Sequence, residues 1–274
     1  MSTSEVLHIS SRDNALVKDL KRLAHGNTDY RKQQRVWAEG DHLVRAALDR
    51  GVQPTIGVFA ASYWPVAAAL YTAAALKNVV ISDDLFDAIS TLESPARMGF
   101  VFDLVSAPAL QPGVASIILD RVQDAGNVGS ILRSASAFGF KQVIALKGTA
   151  ALWSPKVLRA GMGAHWGLQL IEGAALGLLA DLSVPLLVTS SHRGSYLHRA
   201  LLNQELPWPC AWAFGHEGQG VCAALEALAS GHVRIAQPGG EESLNVAAAA
   251  AICLHASATA HLAQEPGRQR VLRR

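Results

Sequence analysis

Three short segments carry polar side chains at spacings suited to chemistry on a hydroxyl group. The first, Asn127-Val128-Gly129-Ser130-Ile131-Leu132-Arg133, follows an apolar run and the loop 120–126. Asn127 is therefore expected at or near a helix start, where its side chain can cap. Arg133 lies six residues on, about 9 Å along a helix axis, and a long side chain leaning toward the helix N-terminus recovers much of that distance. A guanidinium there could meet a phosphate or an attacking oxygen. On its own, an N-cap with a surface salt bridge would account for the pattern equally well.

The second segment, Phe214-Gly215-His216-Glu217-Gly218-Gln219-Gly220, has glycines that let backbone amides approach a ligand. A phosphate loop is a poor fit, because Glu217 would repel the anion and neither GxxxxGK[ST] nor GxGxxG spacing is present. A central carboxylate is better suited to an arginine or a sugar hydroxyl. Taken alone, the segment also reads as an ordinary tight turn. The third, Ile235-Ala236-Gln237-Pro238-Gly239-Gly240-Glu241-Glu242-Ser243-Leu244-Asn245-Val246, leaves a strand, turns through Pro-Gly-Gly and opens a helix. Ser243 and Asn245 would be exposed at its first turn, where they can position a hydroxyl nucleophile, and Ser243 could cap the helix as well. Other chemistries lack their motifs: ten histidines form no HExxH, and there is no GxSxG elbow. His192 and His198 read as loop residues, and no metal site is expected.

The elements that must position these segments follow from periodicity. Apolar runs at 115–119, 142–146, 185–189, 211–214 and 232–235 are each followed by Gly, Ser or Asn and then a helical pattern. Such alternation predicts an α/β domain with a mostly parallel sheet, whose ligands bind beyond the carboxyl ends of the strands. All three segments fall there. Upstream, helices are expected at 15–24, 41–50, 66–76 and 84–90, with extended pieces at 35–38, 55–60, 78–81 and 99–104. The organisation read from the sequence is a small α/β domain at 1–105, a linker at 106–112 and a larger domain at 113–274.

A chain of 274 residues with 50% apolar residues can bury a sizeable core. Cys210, Cys222 and Cys253 form no CxxC pair, which argues against a disulfide framework or a cysteine zinc site and suits a reducing cytoplasm. Residues 1–10 lack the basic start and apolar run of a secretory signal. Two uncharged windows have the length of a membrane span. Residues 51–76 are split by Pro54 and Pro65, and 243–264 is mostly alanine with Asn245, His255 and His261 inside it, so both are read as packed elements and no membrane partner is expected. A formal charge of +2 permits a polyanion without announcing one. Its distribution says more: Lys18, Lys21, Arg22, Arg31, Lys32 and Arg35 cluster near the start, and Arg268, Arg270, Arg273 and Arg274 near the end.

Together the three segments resemble the motif set of the SpoU/TrmH family of RNA methyltransferases, over residues 113–262 and more weakly over 8–105. The resemblance implies a knotted α/β fold, S-adenosyl-L-methionine as cofactor and a ribose 2′-hydroxyl, in 23S ribosomal or transfer RNA, as methyl acceptor. It implies catalytic roles for Arg133, Asn127, Glu217, Ser243 and Asn245, with Glu217 orienting the arginine. It also implies cofactor contacts at Thr189, Gly215, Ile235 and Leu244. Lys156 and Arg159 lie in a segment that faces RNA in relatives, and the unit containing Arg31, Lys32 and Arg35 resembles a small RNA-binding domain. A homodimer through the C-terminal domain is implied too, with the arginine of one subunit facing the cofactor of the other. The chain departs from the family pattern at Ala247, where serine is usual, and at Ala236-Gln237. A base methyltransferase of the same superfamily and a non-catalytic RNA-binding or ribosome-assembly protein of the same fold are the alternatives.

Overall fold

The computed structural model describes residues 6–104, 108–190, 192–240 and 243–264. Glu241, Glu242, the C-terminal arginine cluster and the first two residues of the expected linker lie outside that set. Contacts divide the chain into two compact units, one of Met1–Ser106 with Trp153–Trp166 and one of Ala107–Leu152 with Gly167–Arg274.

The first unit is a five-stranded sheet of β1 (Val6–Ile9), β2 (Arg35–Glu39), β3 (Ile56–Ala60), β4 (Lys77–Ile81) and β5 (Met98–Asp103), in the order β1-β4-β3-β5-β2. The helices are α1 (Ala15–His25), α2 (Asp29–Gln33), α3 (Asp41–Leu48), α4 (Trp64–Tyr71) and α5 (Asp83–Ile89). Helix α1 starts where the Asn14 side chain accepts the Leu16 N–H, and it buries Val17, Leu20, Leu23 and Ala24 along one stripe. Strand β1, four residues with two exposed, has too short a pattern to stand out in the sequence, and it forms only because β4 offers a parallel edge.

The second unit contains β6 (Ser116–Asp120), α6 (Ala125–Ala137) and β7 (Gln142–Leu146), and then, after the chain has passed through the first unit as α7 (Pro155–Gly161), β8 (Gln169–Ala174). It continues through β9 (Leu186–Thr189), β10 (Ser195–Tyr196), α8 (Leu197–Leu202), β11 (Ala211–Gly215), α9 (Ala223–Glu226), β12 (Gly231–Arg234) and α10 (Val246–Gln264). The seven strands form one wholly parallel sheet in the order β10-β12-β9-β11-β6-β7-β8. This is the mostly parallel α/β domain expected from the alternating pattern. Two strands escaped that reading. β8 carries Glu172 and Gly173 within it and pairs with β7 through a register shift, and β10 is only two residues long. His198 lies in α8, not in a loop.

Residues 153–166 depart from the expected organisation by packing in the first unit. Ser154 caps α7, Trp166 packs on Phe102 with ring centroids 4.5 Å apart, and a Cβ on Gly163 (φ +82°) would lie 2.3 Å from the Ala46 Cβ. The second unit's chain therefore contributes a helix to the first, which a boundary drawn at the linker alone misses.

Helix α10 has the length and composition of a membrane span, with a mean hydropathy of 1.5 over its most apolar window. It packs on the sheet instead, burying Ala250, Cys253, Leu254, Ala256, Ser257 and Ala260. The polar side chain in that list has a specific duty: Ser257 Oγ accepts the indole N–H of the fully buried Trp212 at 2.9 Å. Burial pushes the Cys210 thiol up to about 12 and raises Cys253 as well. Replacing Ser257 by alanine leaves the Trp212 donor buried without a partner, a loss of about 1–3 kcal/mol. Urea unfolding of Ser257→Ala should show that loss at unchanged slope, and an unaltered midpoint would mean the indole is satisfied in another way.

Candidate active site

Parallel register brings the strand ends together. Asp120 at the end of β6 lies opposite Gly215 of β11, and Thr189 of β9 lies opposite Val233 of β12. The loops that leave these ends hold the three segments singled out in the sequence.

Helix α6 is capped by Asp124, whose Oδ1 accepts the Asn127 N–H at 2.7 Å. Asn127 is thus not the cap expected from the sequence, and its side chain is released for another task. Its Nδ2 donates to Glu217 Oε1 at 3.2 Å, and its Oδ1 accepts from Asn245 Nδ2 at 2.9 Å. Asn245 in turn caps α10, Oδ1 accepting the Ala247 and Ala248 N–H groups at 2.9 and 3.2 Å. The cap is Asn245, where the sequence had offered Ser243. The direction of this chain is fixed at both ends, since helix N–H groups can only donate and an ionised carboxylate can only accept. Both amides are therefore aligned, and every donor points toward Glu217. Partial burial raises the Glu217 carboxyl, but its own backbone N–H, the Asn127 amide and the backbone of Asp124 and Gln123 outweigh that and hold it below the ordinary 4.5.

A second clamp joins the same loops from beneath, and no motif pointed to it. Asp120, 3% exposed, accepts the Cys222 N–H at 2.7 Å and the Arg121 Nε at 3.0 Å. Arg121 Nη1 then reaches Gln219 Oε1 at 2.8 Å. Arg121 adopts a left-handed conformation (φ 59°), a strained state that turns its side chain back over Asp120. Burial works against the Asp120 charge, and Arg121 together with the Cys222 N–H lowers its pKa overall. A buried acid at a strand end, followed directly by arginine, was the available sequence signal.

The glycine loop also differs from expectation. His216 and Gly220 exchange backbone hydrogen bonds at 3.0 and 2.8 Å, and His216 Nδ1 accepts the Gly218 and Gln219 N–H groups. These amides are turned inward on the loop itself. A Cβ on Gly215 would lie 2.1 Å from the Gly220 carbonyl carbon, so valine there would break the loop before it crowded any ligand.

Beside Glu217 lies an open cleft of about 970 Å³ whose walls include Thr189, Gly215, Ser243, Leu244 and Asn245. A smaller chamber of about 130 Å³ shares Thr189 and Leu244 and adds Val233, Ile235 and Gln237. Of the four residues implied as cofactor contacts, Thr189 and Leu244 line both spaces, Gly215 the cleft and Ile235 the chamber. The chamber sets Val233, Ile235, Leu244 and Ala249 beside Thr189, Ser190 and Ser243, a mixed lining that fits a flat heteroaromatic ring with polar edges.

Other predicted residues are not brought to the cleft. Arg133 is exposed on α6 and forms no hydrogen bond or ion pair among the described residues, so Glu217 is held by Asn127 and not by this arginine. Arg31, Lys32, Arg35, Lys156 and Arg159 all belong to the first unit. Lys32 and Lys156 are exposed, Arg31 Nε donates to Tyr30 Oη, Arg35 pairs with Asp103 at 2.8 Å, and Arg159 donates to Thr91 Oγ1.

Residues 115–255, which hold every segment of this site, match the SpoU rRNA methylase family. The chain belongs to that family. Residues 14–98 match the MRM3-like substrate binding domain. The 23S rRNA (guanosine(2553)-2′-O)-methyltransferase RlmP of Bacillus subtilis is 31% identical over 250 residues, covering 90% of this chain and 97% of that protein. The fold is similar to that of the AdoMet-bound rRNA methyltransferase from Sinorhizobium meliloti, with TM-score 0.78, 26% identity and coverage of 94% and 98% of the two chains. It also matches the SpoU methyltransferase AviRb from Streptomyces viridochromogenes at TM-score 0.79 and 20% identity, covering 91% and 98%. In this SpoU chain, as in the sequence pattern, the three motifs meet at the ends of parallel strands.

Because its carboxyl is held low, Glu217 contributes stability that is present above the unfolded value near 4.5 and lost as pH falls through the lower folded value. Asn127→Ala removes one source of that contribution. Its destabilisation relative to the parent should be largest at neutral pH and shrink in acid below about 4.5. A gap that instead widened in acid would contradict an ionised Glu217 at the end of the amide chain.

Proposed function

We propose that this chain transfers a methyl group from S-adenosyl-L-methionine to a ribose 2′-hydroxyl of ribosomal or transfer RNA, at the cleft bordered by Glu217, Ser243 and Asn245. The observation that carries the reading is the aligned hydrogen-bonded chain from the N-terminus of α10 through Asn245 and Asn127 to Glu217, beside a cleft of cofactor size. Membership of the SpoU rRNA methylase family and the likeness to RlmP and to an AdoMet-bound structure support it.

The cofactor supplies an electrophilic methyl group on a positively charged sulfur. Thr189, Ile235 and Leu244 would hold it against the strand ends. A hydroxyl is a poor nucleophile until its proton leaves or its developing charge is stabilised. Bound here, the sulfonium would give its methyl to the hydroxyl oxygen and leave as the neutral thioether, S-adenosylhomocysteine, with the hydroxyl proton lost to solvent. A guanidinium offers positive charge and hydrogen-bond donors but no acceptor, so the part of Arg133 is electrostatic. Asn127 keeps Glu217 ionised, and an ionised carboxylate can orient a guanidinium that arrives from outside the subunit.

That requirement supports a homodimer. Arg133 does not meet Glu217 within one chain, and the Asn245 end of the amide chain is exposed. Helix α10 presents Ile252 at 42% and Leu262 at 40% exposure on the side away from the sheet, apolar side chains that an isologous partner could cover. The knot of the family is part of the same proposal. The first unit, with its substrate-binding match and its exposed Lys32 and Lys156, would select the RNA. Buried, unpaired Cys210 and Cys253 suit a reducing compartment such as the cytoplasm.

Ala249 lines both parts of the cleft from α10 and tolerates a larger helix-forming residue. Ala249→Leu should weaken S-adenosyl-L-methionine binding, measured by calorimetry, by roughly tenfold or more, about 1.4 kcal/mol, without loss of thermal stability. Unchanged affinity in a folded variant would place the cofactor elsewhere. For the shared site, Arg133→Ala subunits mixed with Ala249→Leu subunits should regain part of the methyl transfer that each lacks alone. Verified mixed dimers with no recovery would show that each subunit works by itself. Mapping 2′-O-methylation in ribosomal and transfer RNA with and without the protein identifies the nucleotide.

A further inference from the structure

Two arginines of the second unit face a carboxylate: Arg121 pairs with Asp120 and Arg193 with Glu226. Two others are arranged differently. Strand β10 pairs in parallel with β12 so that Tyr196 lies opposite Arg234. The Arg234 Cζ sits 4.7 Å from the centre of the Tyr196 ring, and Arg199, from the first turn of α8, sits 5.7 Å from the same ring. His198 lies 5.5 Å from that ring, at an interplanar angle of 31°. Neither guanidinium has a carboxylate partner among the described residues. On the same face of β12, two residues before Arg234, His232 Nε2 is buried without a hydrogen-bond partner among them.

Two like charges gathered on one ring repel each other, and the ring quadrupole offsets only part of that cost. A cation–π contact uses the face of the guanidinium and leaves its edge N–H groups free, in the fork geometry that takes a phosphate bidentately. Arginine planes and an aromatic ring at one sheet edge are also surfaces on which unpaired bases stack. The location adds to this. Val233 and Ile235, the neighbours of Arg234 in sequence, line the cofactor chamber, so the cluster stands one strand from the cleft where the methyl group would be delivered.

We infer that Tyr196, Arg199 and Arg234, with His198 at their margin, form a binding site for the backbone of single-stranded RNA flanking the methylated nucleotide. This rests on the RNA methyltransferase reading and adds to it a substrate contact within the methylase unit, separate from the substrate-binding domain.

The test uses the full-length protein and a fluorescein-labelled oligouridylate, with binding followed from about 50 to 200 mM salt. Replacing both arginines, Arg199→Ala with Arg234→Ala, should lower the slope of log affinity against log salt by about 1.4, two contacts at roughly 0.7 each. The paired lysine replacements should keep that slope, and Tyr196→Leu should weaken binding with little change in it. S-adenosyl-L-methionine affinity should be the same in all variants. An alanine pair with the parent slope would overturn the site while leaving the methyltransferase reading intact. Loss of cofactor binding in the alanine pair would also overturn it, by making the cluster part of the cofactor wall or of the fold. If the parent protein bound neither the oligouridylate nor ribosomal RNA, the RNA reading itself would fall, and this site with it.

Discussion

The site depends on the alignment of two asparagine amides. Helix α10 begins with N–H groups that have no partner within the helix, and Asn245 answers two of them with its carbonyl oxygen. Its amino group must then face away from the helix, Asn127 must turn its oxygen to meet it, and the Asn127 amino group is left pointing at Glu217. The positive end of a helix is thereby extended through two side chains to a carboxylate in the loop after β11. Flipping Asn127 would break two hydrogen bonds, and flipping Asn245 three. The geometry of the cleft is thus a consequence of how one helix is capped.

Much of this was legible because it depends on local chemistry. The runs that became β6, β7, β9 and β11 are largely apolar, as strands covered on both faces must be, and the carboxyl ends of β6, β11 and β12 are where the polar segments fall. What the sequence misassigned were roles decided by competition between neighbours. Asp124 and Asn127 are both good cap residues, and Asp124 takes the position because it precedes the first helical turn, which sends Asn127 across to Glu217. Ser243 and Asn245 pose the same choice at α10. The glycine loop was read as presenting amides to a ligand, but its amides close on His216, a contact that depends on the ring's orientation and leaves no trace in spacing. The path of residues 153–166 was hidden for another reason: Trp166 and Gly163 gain their meaning from Phe102 and Ala46, which are distant in sequence.

Charge follows a related logic. A net charge of +2 says little about partners, because 24 Lys and Arg stand against 22 Asp and Glu, and the pairing of individual charges is not visible in the sum. Arg35, Arg45, Arg97, Arg121 and Arg193 each have a carboxylate within salt-bridge distance. Surface pairs of this kind are worth about 0–1 kcal/mol, so they shape the local field more than they stabilise the fold. Cations held by a ring or left in solvent keep their full appeal to an anion. An arginine's availability is therefore a property of its neighbours, and sequence clusters such as Arg31, Lys32 and Arg35 mix available and occupied charges.

Helix α10 shows the same dependence of meaning on surroundings. By composition it could span a bilayer, and by position it is the lid on a parallel sheet. Its alanines allow close approach to the sheet, and Ser257 meets the need of Trp212 within that contact. The opposite side keeps Ile252 and Leu262 partly in solvent. The polar N-terminus of the same helix anchors the amide chain that ends at Glu217. A second subunit that covered the apolar side would exclude water close to this carboxylate and strengthen every charge interaction there. Capping, packing and catalysis thus make demands on one helix, and its unusual alanine content is what lets a single segment meet all three.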